Sequence, residues 1–530
     1  WNKMPKNKKG LKERQRERQM KQQRSEEAQQ KRREAKTKKN SRQLPKKKIF
    51  LAISLIVIIL GVILVWQFSI KHFMPIYIRS DGTIDPSTAT ISNFDNSHYT
   101  FTANIFGSIV IERDNIVIDG ANHILHGEID TNSTGIELTG RSNVTITNLG
   151  IKDFEYGIFL KSGSNIVLSQ NDLTNEYSIG FDSCLNNTVI ENNITNSYGA
   201  ILLAQSSNNT IIKNNLDNNN YGLNLDYGSS ANTISGNIIT NSEEAIFIAK
   251  SSNNNSFSEN ILEKNTAGIG LDQSLGNSIF GNTITGCEGA IGLIYSSNNQ
   301  ITENSLTDNQ YNIILNYNSG SNSIQRNDIR NGDAAIRLTY LSDNNTIFEN
   351  IIEANTEGIR LDNSTGNSIV GNTITNCEGA IGLTYSSNNQ ITQNNITDNQ
   401  YSISITSNSE SNSISENDIK NSDLAIGFTY SSNNQITENN IVDNEFGVYL
   451  NSSSDNSFFR NSFLNNTYQA FSLGSFNAWD NENLSGGNFW SDYEEKYPDA
   501  EKLDQSRIWN TPYTIDENNK DNYPLVNRET

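Results

Sequence analysis

Two arginines and two aspartates recur at related spacings in the second half of the chain. Arg337 and Arg360 are 23 residues apart, and Asp272 and Asp362 are 90 residues apart. A guanidinium presents a planar fork of donors that fits a carboxylate, so paired arginines favour the binding of acidic groups. Carboxylates gathered on one face could instead support hydrolysis, or lyase chemistry with calcium and a basic residue. The third interpretation is a solvated charged surface.

Tyrosines recur at a longer spacing in the same part of the chain. Tyr295, Tyr340 and Tyr385 are each 45 residues apart. Such rings, if they point outward, could stack on sugar rings, because an aromatic side chain combines a broad apolar face with a polar tip. The three tyrosines join the two arginines and two aspartates as candidate ligand-binding residues. No combination of residues predicts a catalytic site.

Metal and thiol chemistry has little support in the sequence. Copper(I) prefers thiolate and thioether ligands and copper(II) prefers imidazole, but all Met and His residues precede residue 127. His123 and His126 lie close together, although two ligands alone do not define a site. Cys287 and Cys377 are separated by four repeats, about 19 Å at strand spacing, which is too far for a disulfide. We predict buried free thiols, no metal site and no cofactor.

These residues are carried by a short repeat. An Asn-x-Ile-x-x-Asn pattern returns every 22 or 23 residues, with anchors at Asn143, Asn165, Asn187, Asn209, Asn232, Asn255, Asn277, Asn299, Asn322, Asn345, Asn367, Asn389, Asn412, Asn434 and Asn456. A fixed short period indicates a solenoid. Apolar residues alternate within each copy, as in Ile291-Gly-Leu293, which indicates strands. The prediction is an all-β, right-handed parallel β-helix of about 16 coils.

Asparagines and isoleucines should form columns along this solenoid. Coils about 4.8 Å apart place each residue on its counterpart in the next coil. Asn carries a donor and an acceptor on one amide, so an Asn column can bond along the axis, and its tolerance of left-handed backbone suits corners. The isoleucine of each repeat should fill the interior. Leu271–Ile313 and Leu361–Ile403 are near copies, so the chain grew by duplication.

The chain before the repeat predicts a membrane anchor. Residues 1–48 contain 20 Lys and Arg against five Glu, a net charge of +15, whereas the remainder carries 20 against 54 acidic residues, a net of −34. Residues 49–70 are uncharged and long enough to span a bilayer. The positive-inside rule then places the N-terminus in the cytoplasm and the C-terminal domain outside. The predicted location is the cell membrane, with a single span.

The two ends of the repeat resemble a known family. The motifs are Tyr99–Thr102 (YTFT), Gly107–Gly120 (GSIVIERDNIVIDG), Gly487–Tyr493 (GNFWSDY), Thr511–Asp516 (TPYTID) and Asn519–Leu525 (NKDNYPL). They resemble archaeal NosD-like right-handed β-helix surface proteins over about residues 76–526. The resemblance implies a β-helix with a carbohydrate-related or surface role, but no particular reaction.

The predicted organisation has five parts: a basic tail (1–48), a transmembrane helix (49–70), a linker and entry cap (71–142), the repeat (143–462) and an aromatic-rich C-terminal cap (463–530). The favoured function is a non-catalytic, membrane-anchored module for carbohydrate binding, adhesion or structure. Its predicted partners are the membrane and an acidic polysaccharide or cell-surface glycan, without nucleic acid. The alternatives are a polysaccharide lyase or glycoside hydrolase of the pectate-lyase-like class, and a NosD-like accessory protein for metalloenzyme maturation.

Overall fold

The computed structural model describes residues 75–128, 133–481, 486–503 and 507–528. These residues form a right-handed parallel β-helix of about 17 turns, which confirms the predicted fold class and adds one turn to the expected number. The predicted transmembrane helix at residues 49–70 lies outside the described residues. Within them, helices are too short or too polar to cross a bilayer.

Three parallel sheets run along the axis, and each turn contributes one strand to each sheet. From Thr134 onward, sheet 1 contains the longest strand of each turn. Its strands are Ile76–Ile78, Ile109–Ile111, Thr134–Thr139, Tyr156–Lys161, Tyr177–Asp182, Gly199–Ala204, Tyr221–Asp226, Glu244–Ile248, Ala267–Asp272, Gly289–Ile294, Tyr311–Asn316, Ala334–Thr339, Glu357–Asp362, Gly379–Thr384, Tyr401–Thr406, Leu424–Thr429, Phe446–Asn451 and Tyr468–Leu473, with Ile84–Asp85 paired to the first.

Sheet 2 follows sheet 1 in every turn. Its strands are Ile91–Asn93, His98–Phe101, Ile116–Asp119, Val144–Thr147, Val167–Ser169, Thr188–Ile190, Thr210–Ile212, Thr233–Ser235, Ser256–Ser258, Ser278–Phe280, Gln300–Thr302, Ser323–Gln325, Thr346–Phe348, Ser368–Val370, Gln390–Thr392, Ser413–Ser415, Gln435–Thr437 and Ser457–Phe459.

Sheet 3 completes the turn. Its strands are Ile105–Phe106, Ile124–His126, Gly150–Lys152, Asp172–Thr174, Asn193–Thr195, Asn215–Asp217, Ile238–Thr240, Ile261–Glu263, Thr283–Thr285, Ser305–Thr307, Asp328–Arg330, Ile351–Glu353, Thr373–Thr375, Asn395–Thr397, Asp418–Lys420, Asn440–Val442, Ser462–Leu464 and Phe489–Trp490.

The core is a set of apolar columns, because alternate strand residues face inward. The isoleucines of sheet 2 that the repeat predicts to be internal are all buried: Ile279, Ile301, Ile324, Ile347, Ile369, Ile391, Ile414 and Ile436. Most sheet 1 strands depart from simple alternation, since their second and third residues are both buried and their first, fourth and sixth residues face outward. This pattern gives sheet 1 three outward rows.

The asparagines form hydrogen-bonded ladders, as predicted. Asn282 donates from Nδ2 to Asn304 Oδ1 (3.0 Å) and to the Phe257 carbonyl (2.9 Å), and its Oδ1 accepts from Asn260 Nδ2 (2.9 Å) and Asn260 N (3.0 Å). The prediction that these asparagines adopt the left-handed conformation is wrong for most of them. From the turn of Asn187 onward, the preceding residue, such as Asn186, adopts the positive φ.

Short antiparallel pairs and aromatic stacks close the ends of the solenoid. At the entry, Ile91–Asn93 pairs antiparallel with His98–Phe101. At the other end, a one-turn helix (Tyr493–Lys496) precedes the antiparallel strands Tyr513–Thr514 and Lys520–Asp521. Trp490 stacks between Phe463 and Tyr513, with centroid distances of 4.4 and 4.1 Å. The cap therefore extends the apolar column of sheet 3 with aromatic rings.

Candidate functional site

The predicted arginines meet on the outer face of sheet 1. Arg337 and Arg360 are register partners on adjacent strands, and Thr339 is the register partner of Asp362. Both arginines occupy the fourth residue of their strands, which faces outward, while Asp362 occupies the sixth. The structure therefore brings Arg337, Arg360 and Asp362 to one face, as the spacing of one repeat predicts.

Arg337 is held by one residue from the preceding turn and one from the following turn. Its Nη2 donates a hydrogen bond to Glu357 Oε2, on the next strand, and its guanidinium lies 5.8 Å from the ring centroid of Tyr311. Arg337 Nε is buried without a hydrogen-bond partner. Glu357 therefore supplies the charge that compensates Arg337.

Arg360 is held differently. Its Nη2 donates to Thr384 Oγ1 at 2.9 Å, and its side chain crosses Gly382, where a Cβ would lie 3.1 Å from Nη1. The ion pairs of the described residues do not include Arg360. In the strand that follows Arg337 the first residue is Glu357, whereas in the strand that follows Arg360 the first residue is Gly379. Arg360 therefore presents donors that the protein itself does not neutralise.

A groove of about 470 Å³ runs over these side chains. It is lined by Ile314, Asn316, Arg337, Thr339, Tyr340, Glu357, Arg360 and Asp362. A smaller hollow of about 220 Å³ continues past Arg360 toward Tyr401 and Ser404. The outward glycines of sheet 1 differ in access: Gly292 is open, whereas Phe247 crosses Gly270 and Arg360 crosses Gly382. The floor of the site is thus built by side chains more than by bare backbone.

Asp272 does not join this site. It lies in the same outward row as Asp362, but three strands separate the two residues. The successive members of this row are Asp272, Ile294, Asn316, Thr339 and Asp362. Four strand spacings separate the two aspartates by about 19 Å. The pair cannot act together on one bond, because paired catalytic carboxylates lie within about 10 Å of one another.

The tyrosines face solvent, but most of their ring faces are covered. Tyr295, Tyr317 and Tyr340 stack in sequence along the corner after sheet 1, with centroid distances of 5.6 and 5.1 Å. Tyr385 lies beyond this stack and is 57% exposed. All four residues adopt positive φ. Tyr317 does not follow the spacing of 45 residues, so that spacing did not predict it. Within the stack, only the two end rings, Tyr295 and Tyr340, keep a free face.

The histidines and cysteines of the described residues do not gather into a metal centre. His126 Nδ1 lies 3.0 Å from Asp153 Oδ2, and the His126 ring stacks on Phe106. In the part of the chain that the structure describes, no three His, Cys, Asp or Glu side chains are placed to share an ion. Cys184, Cys287 and Cys377 are buried free thiols, and burial raises the pKa of Cys377 to about 11. Such thiols are poor nucleophiles.

The chain was compared with known families and structures. Residues 312–495 match the NosD family, described as periplasmic copper-binding protein, and residues 134–283 match a family described as right handed beta helix region. No curated protein matches the sequence.

Solved structures with a similar course of the chain include an exopolygalacturonase from Thermotoga maritima (12% identity, 47% of this chain and 80% of that chain, TM-score 0.34). A mutant of the periplasmic alginate epimerase AlgG is similar at 14% identity, with 64% and 80% of the two chains covered and a TM-score of 0.37. The catalytic domain of a GH87 alpha-1,3-glucanase in complex with nigerose is similar at 12% identity, with 52% and 60% covered and a TM-score of 0.31. At these values the similarities assign no activity to this chain. The two family matches and the solenoid of parallel strands show a right-handed parallel β-helix, of which residues 312–495 are similar to the NosD family.

Proposed function

We propose that this protein is a membrane-anchored, extracytoplasmic β-helix of the surface-protein type that binds an acidic polysaccharide in the groove over Arg337 and Arg360. One observation carries the proposal: Arg360 faces the groove with guanidinium donors that are not paired with a carboxylate of the described residues. A carboxylate on a sugar matches the fork of a guanidinium, which can donate two parallel hydrogen bonds.

The rest of the groove suits a glycan. Asn316, Thr339 and Asp362 supply hydrogen-bonding groups along one wall, and Tyr340 supplies an aromatic side chain at its edge. Tyr340 is the end of the tyrosine stack and is followed in the next turn by Asn363, which has no ring. The ring face toward Asn363 is therefore available to a sugar. Equivalent strand positions recur about every 4.8 Å along the sheet face, so an extended polymer can contact several of them at once.

The proposed role is binding without catalysis. Glu357 and Asp362 are the carboxylates nearest the arginines, but they lie at opposite ends of one strand. Five residues of extended chain separate their Cα atoms by about 16 Å. Glycosidases hold their two carboxyl groups roughly 5–10 Å apart. The arrangement supports recognition of a charged chain better than cleavage of its bonds.

Copper binding is not included in the proposal. The segment that matches the NosD family, residues 312–495, contains no His and no Met. Its one Cys, Cys377, is buried in the wall of the solenoid with a raised pKa. Copper sites in proteins are built from thiolate, thioether and imidazole ligands, so no residue set of this segment favours a copper function.

The test is binding of oligogalacturonate to the full chain, with its methyl ester as the uncharged counterpart. The parent should bind the acid form more tightly, with an affinity that falls as salt is added. Arg360→Gly should weaken binding about tenfold, the loss expected for one charge-assisted contact. Glycine is tolerated here, because the near copy of this segment has Gly270 at the equivalent position. Replacing both arginines with Gln should weaken binding further, and most strongly at low salt.

Arg326→Gln is the matched control, because Arg326 lies outside the groove and pairs with Glu303 at 3.3 Å. It should bind oligogalacturonate like the parent. Release of unsaturated or reducing ends during the same incubation would favour the lyase or hydrolase alternative. Equal binding by the parent and by Arg360→Gly would contradict the proposed site.

A further inference from the structure

A second aromatic surface lies on sheet 1, several turns before the arginine groove. We define the tyrosine strip as Tyr156, Tyr177, Tyr198 and Tyr221. Neighbouring rings are in contact, with centroid distances of 5.0, 5.7 and 5.5 Å in that order. The first pair is stacked, whereas Tyr198 meets both of its neighbours edge to face. Tyr198 therefore leaves ring surface open, and it is 47% exposed.

Carboxylates border the tyrosine strip without matching cations. Burial is the largest cause of the raised pKa of Tyr177, and the charge of Glu176 raises it further. The pKa of Tyr221 is likewise raised by burial and then by the charges of Glu244 and Glu243. Glu176, Glu243 and Glu244 take part in none of the ion pairs found among the described residues. The net charge along this edge of sheet 1 is negative.

The lysines of this part of sheet 1 lie at the far end of the strands. Lys161 pairs with Asp182 at 3.4 Å, and Lys250 pairs with Asp226 at 2.7 Å. Both aspartates occupy the sixth strand residue, whereas Tyr156, Tyr177 and Tyr221 occupy the first and Tyr198 directly precedes its strand. About 16 Å of extended chain separates the two rows. These lysines consequently do not neutralise the glutamates.

Two acceptor oxygens beside the strip lack donors. Glu244 Oε2 and Asn224 Oδ1 are buried, and neither has a hydrogen-bond partner. Asn224 is the fourth residue of its strand and Glu244 is the first residue of the next. Arg337 and Glu357 have the same relation and form a hydrogen bond. At the earlier position the two side chains are an amide and a carboxyl group, and no hydrogen bond joins them.

We propose that the tyrosine strip, together with Glu244 and Asn224, binds a glycan that carries protonated amines. An ammonium group supplies the hydrogens that both oxygens lack, and its charge offsets the glutamates. The rings of Tyr198 and Tyr221 provide apolar and cation–π contact for an amino sugar. A buried acceptor without a donor costs free energy, and a ligand that supplies the donor recovers it.

The charge of this surface is opposite to that of the arginine groove. Four strand spacings, about 19 Å, separate the strand of Glu244 from that of Arg337. A chain of amino sugars would meet carboxylates at the tyrosine strip and guanidinium groups at the groove. The two surfaces are therefore expected to select different ligands, and the inference does not depend on the proposed acidic-glycan function.

The test uses the full chain, a fully deacetylated glucosamine hexamer and its N-acetylated form, measured by calorimetry at pH 6. The amine form should bind and the acetylated form should bind at least tenfold more weakly. Glu244→Gln keeps the shape of the side chain and removes its charge, so it should weaken amine binding about tenfold. Tyr198→Ala should reduce binding of the amine form as well. Arg326→Gln, which lies outside both surfaces and pairs with Glu303, is the control, and it should leave this binding unchanged.

Each remaining outcome counts against the proposal. Equal binding of the two hexamers would show that neutral sugar contacts dominate. Unchanged binding by Glu244→Gln would place the ligand elsewhere. An amine hexamer that binds only when Arg360 is intact would move the site to the groove.

Discussion

Arg337 and Arg360 are register partners on adjacent strands, yet only Arg337 donates to a carboxylate. The difference follows from the first residue of the next strand, which is Glu357 after Arg337 and Gly379 after Arg360. The fourth residue of one strand and the first residue of the next are close enough for long side chains to meet. A single substitution at that first position therefore decides whether an arginine is paired or free.

Loss of the Glu357 carboxylate should destabilise the solenoid. Glu357→Gln leaves the guanidinium of Arg337 without an acidic partner, while Arg337 Nε is already buried and unpaired. Because both side chains are about one-third exposed, solvent screening limits the expected loss to about 1 kcal/mol. Chemical unfolding measures it. The control is Glu378→Gln, which changes an exposed glutamate in the following turn and should leave the unfolding free energy unchanged. Equal stability of the two variants would contradict the pairing.

An asparagine within a ladder should be far more sensitive than one on the surface. Asn282→Leu removes bonds to Asn304 and the Phe257 carbonyl, and it leaves two buried N–H donors of Asn260 unpaired. The expected loss is about 3 kcal/mol. Asn395→Leu, at an exposed strand position, should cost less than about 0.5 kcal/mol. Thermal or chemical unfolding of the two variants compares them directly, and similar losses would show that the ladder is not a main source of stability.

The C-terminal cap should become less stable as pH rises from about 4 to about 7. Burial raises the pKa of Asp521 to about 7, although it accepts hydrogen bonds from Asn488 N (2.7 Å), Trp490 Nε1 (2.9 Å) and Tyr523 N (3.0 Å) that favour the charged form. The folded protein then holds a proton that the unfolded chain releases near pH 3.8. The contribution of Asp521 to the unfolding free energy is greatest below pH 3.8, and it falls by roughly 2–4 kcal/mol as the pH rises to about 7.

Melting of the cap, followed by tryptophan fluorescence between pH 4 and 9, checks this prediction. Asp521→Asn cannot titrate, so its profile should lack the transition whatever its absolute stability. A flat profile for the parent chain would mean that the three N–H donors outweigh burial.

The orientation of the chain in the membrane remains a prediction. Residues 1–48 carry a net charge of +15 and precede an uncharged stretch of 22 residues at 49–70. Protease added to intact cells should degrade the repeat and spare residues 1–48, as detected with antibodies to each part. After the cells are broken open, both parts should be degraded. Protection of the repeat in intact cells would reverse the orientation.

The sequence predicted those features that depend on the length of one turn. A spacing of 22 or 23 residues was enough to stack Asn282 on Asn304 and to place Arg337 beside Arg360, because register in a parallel solenoid follows directly from the repeat. The inward position of Ile279 followed from strand alternation. These relations involve one residue and its counterpart in the next turn, and they need no knowledge of side-chain conformation.

Diagonal relations were missed. Gly358 and Ile359 are consecutive and both buried, and Glu357 pairs with the fourth-position arginine of the previous turn. Strict alternation of a strand pattern predicts neither relation. Tyr317 was missed for another reason, because it falls between the tyrosines that recur every 45 residues. The left-handed corners were assigned to ladder asparagines, whereas Asn186 and its counterparts take that conformation and leave Asn187 free to bond.

The asparagine ladders give the solenoid an electric polarity. Each side-chain amide donates to the next turn in the C-terminal direction, as Asn192 does to Asn214 and Asn439 does to Asn461. Backbone hydrogen bonds between turns run both ways, so their dipoles largely cancel, whereas side-chain dipoles, each similar to the roughly 3.5 D of a peptide unit, add along the axis.

The positive end of this macrodipole lies in the C-terminal cap, and acids are placed there. Asn461 donates to Asn488, whose backbone N–H donates to Asp521. The ladder that passes through Asn466 continues by way of Gln469 to Asp492, at 3.4 Å. Each pair of turns added by duplication would lengthen the dipole without changing its direction. The same acidic cap could then terminate solenoids of many lengths, which fits a chain that grew by repeating its own segments.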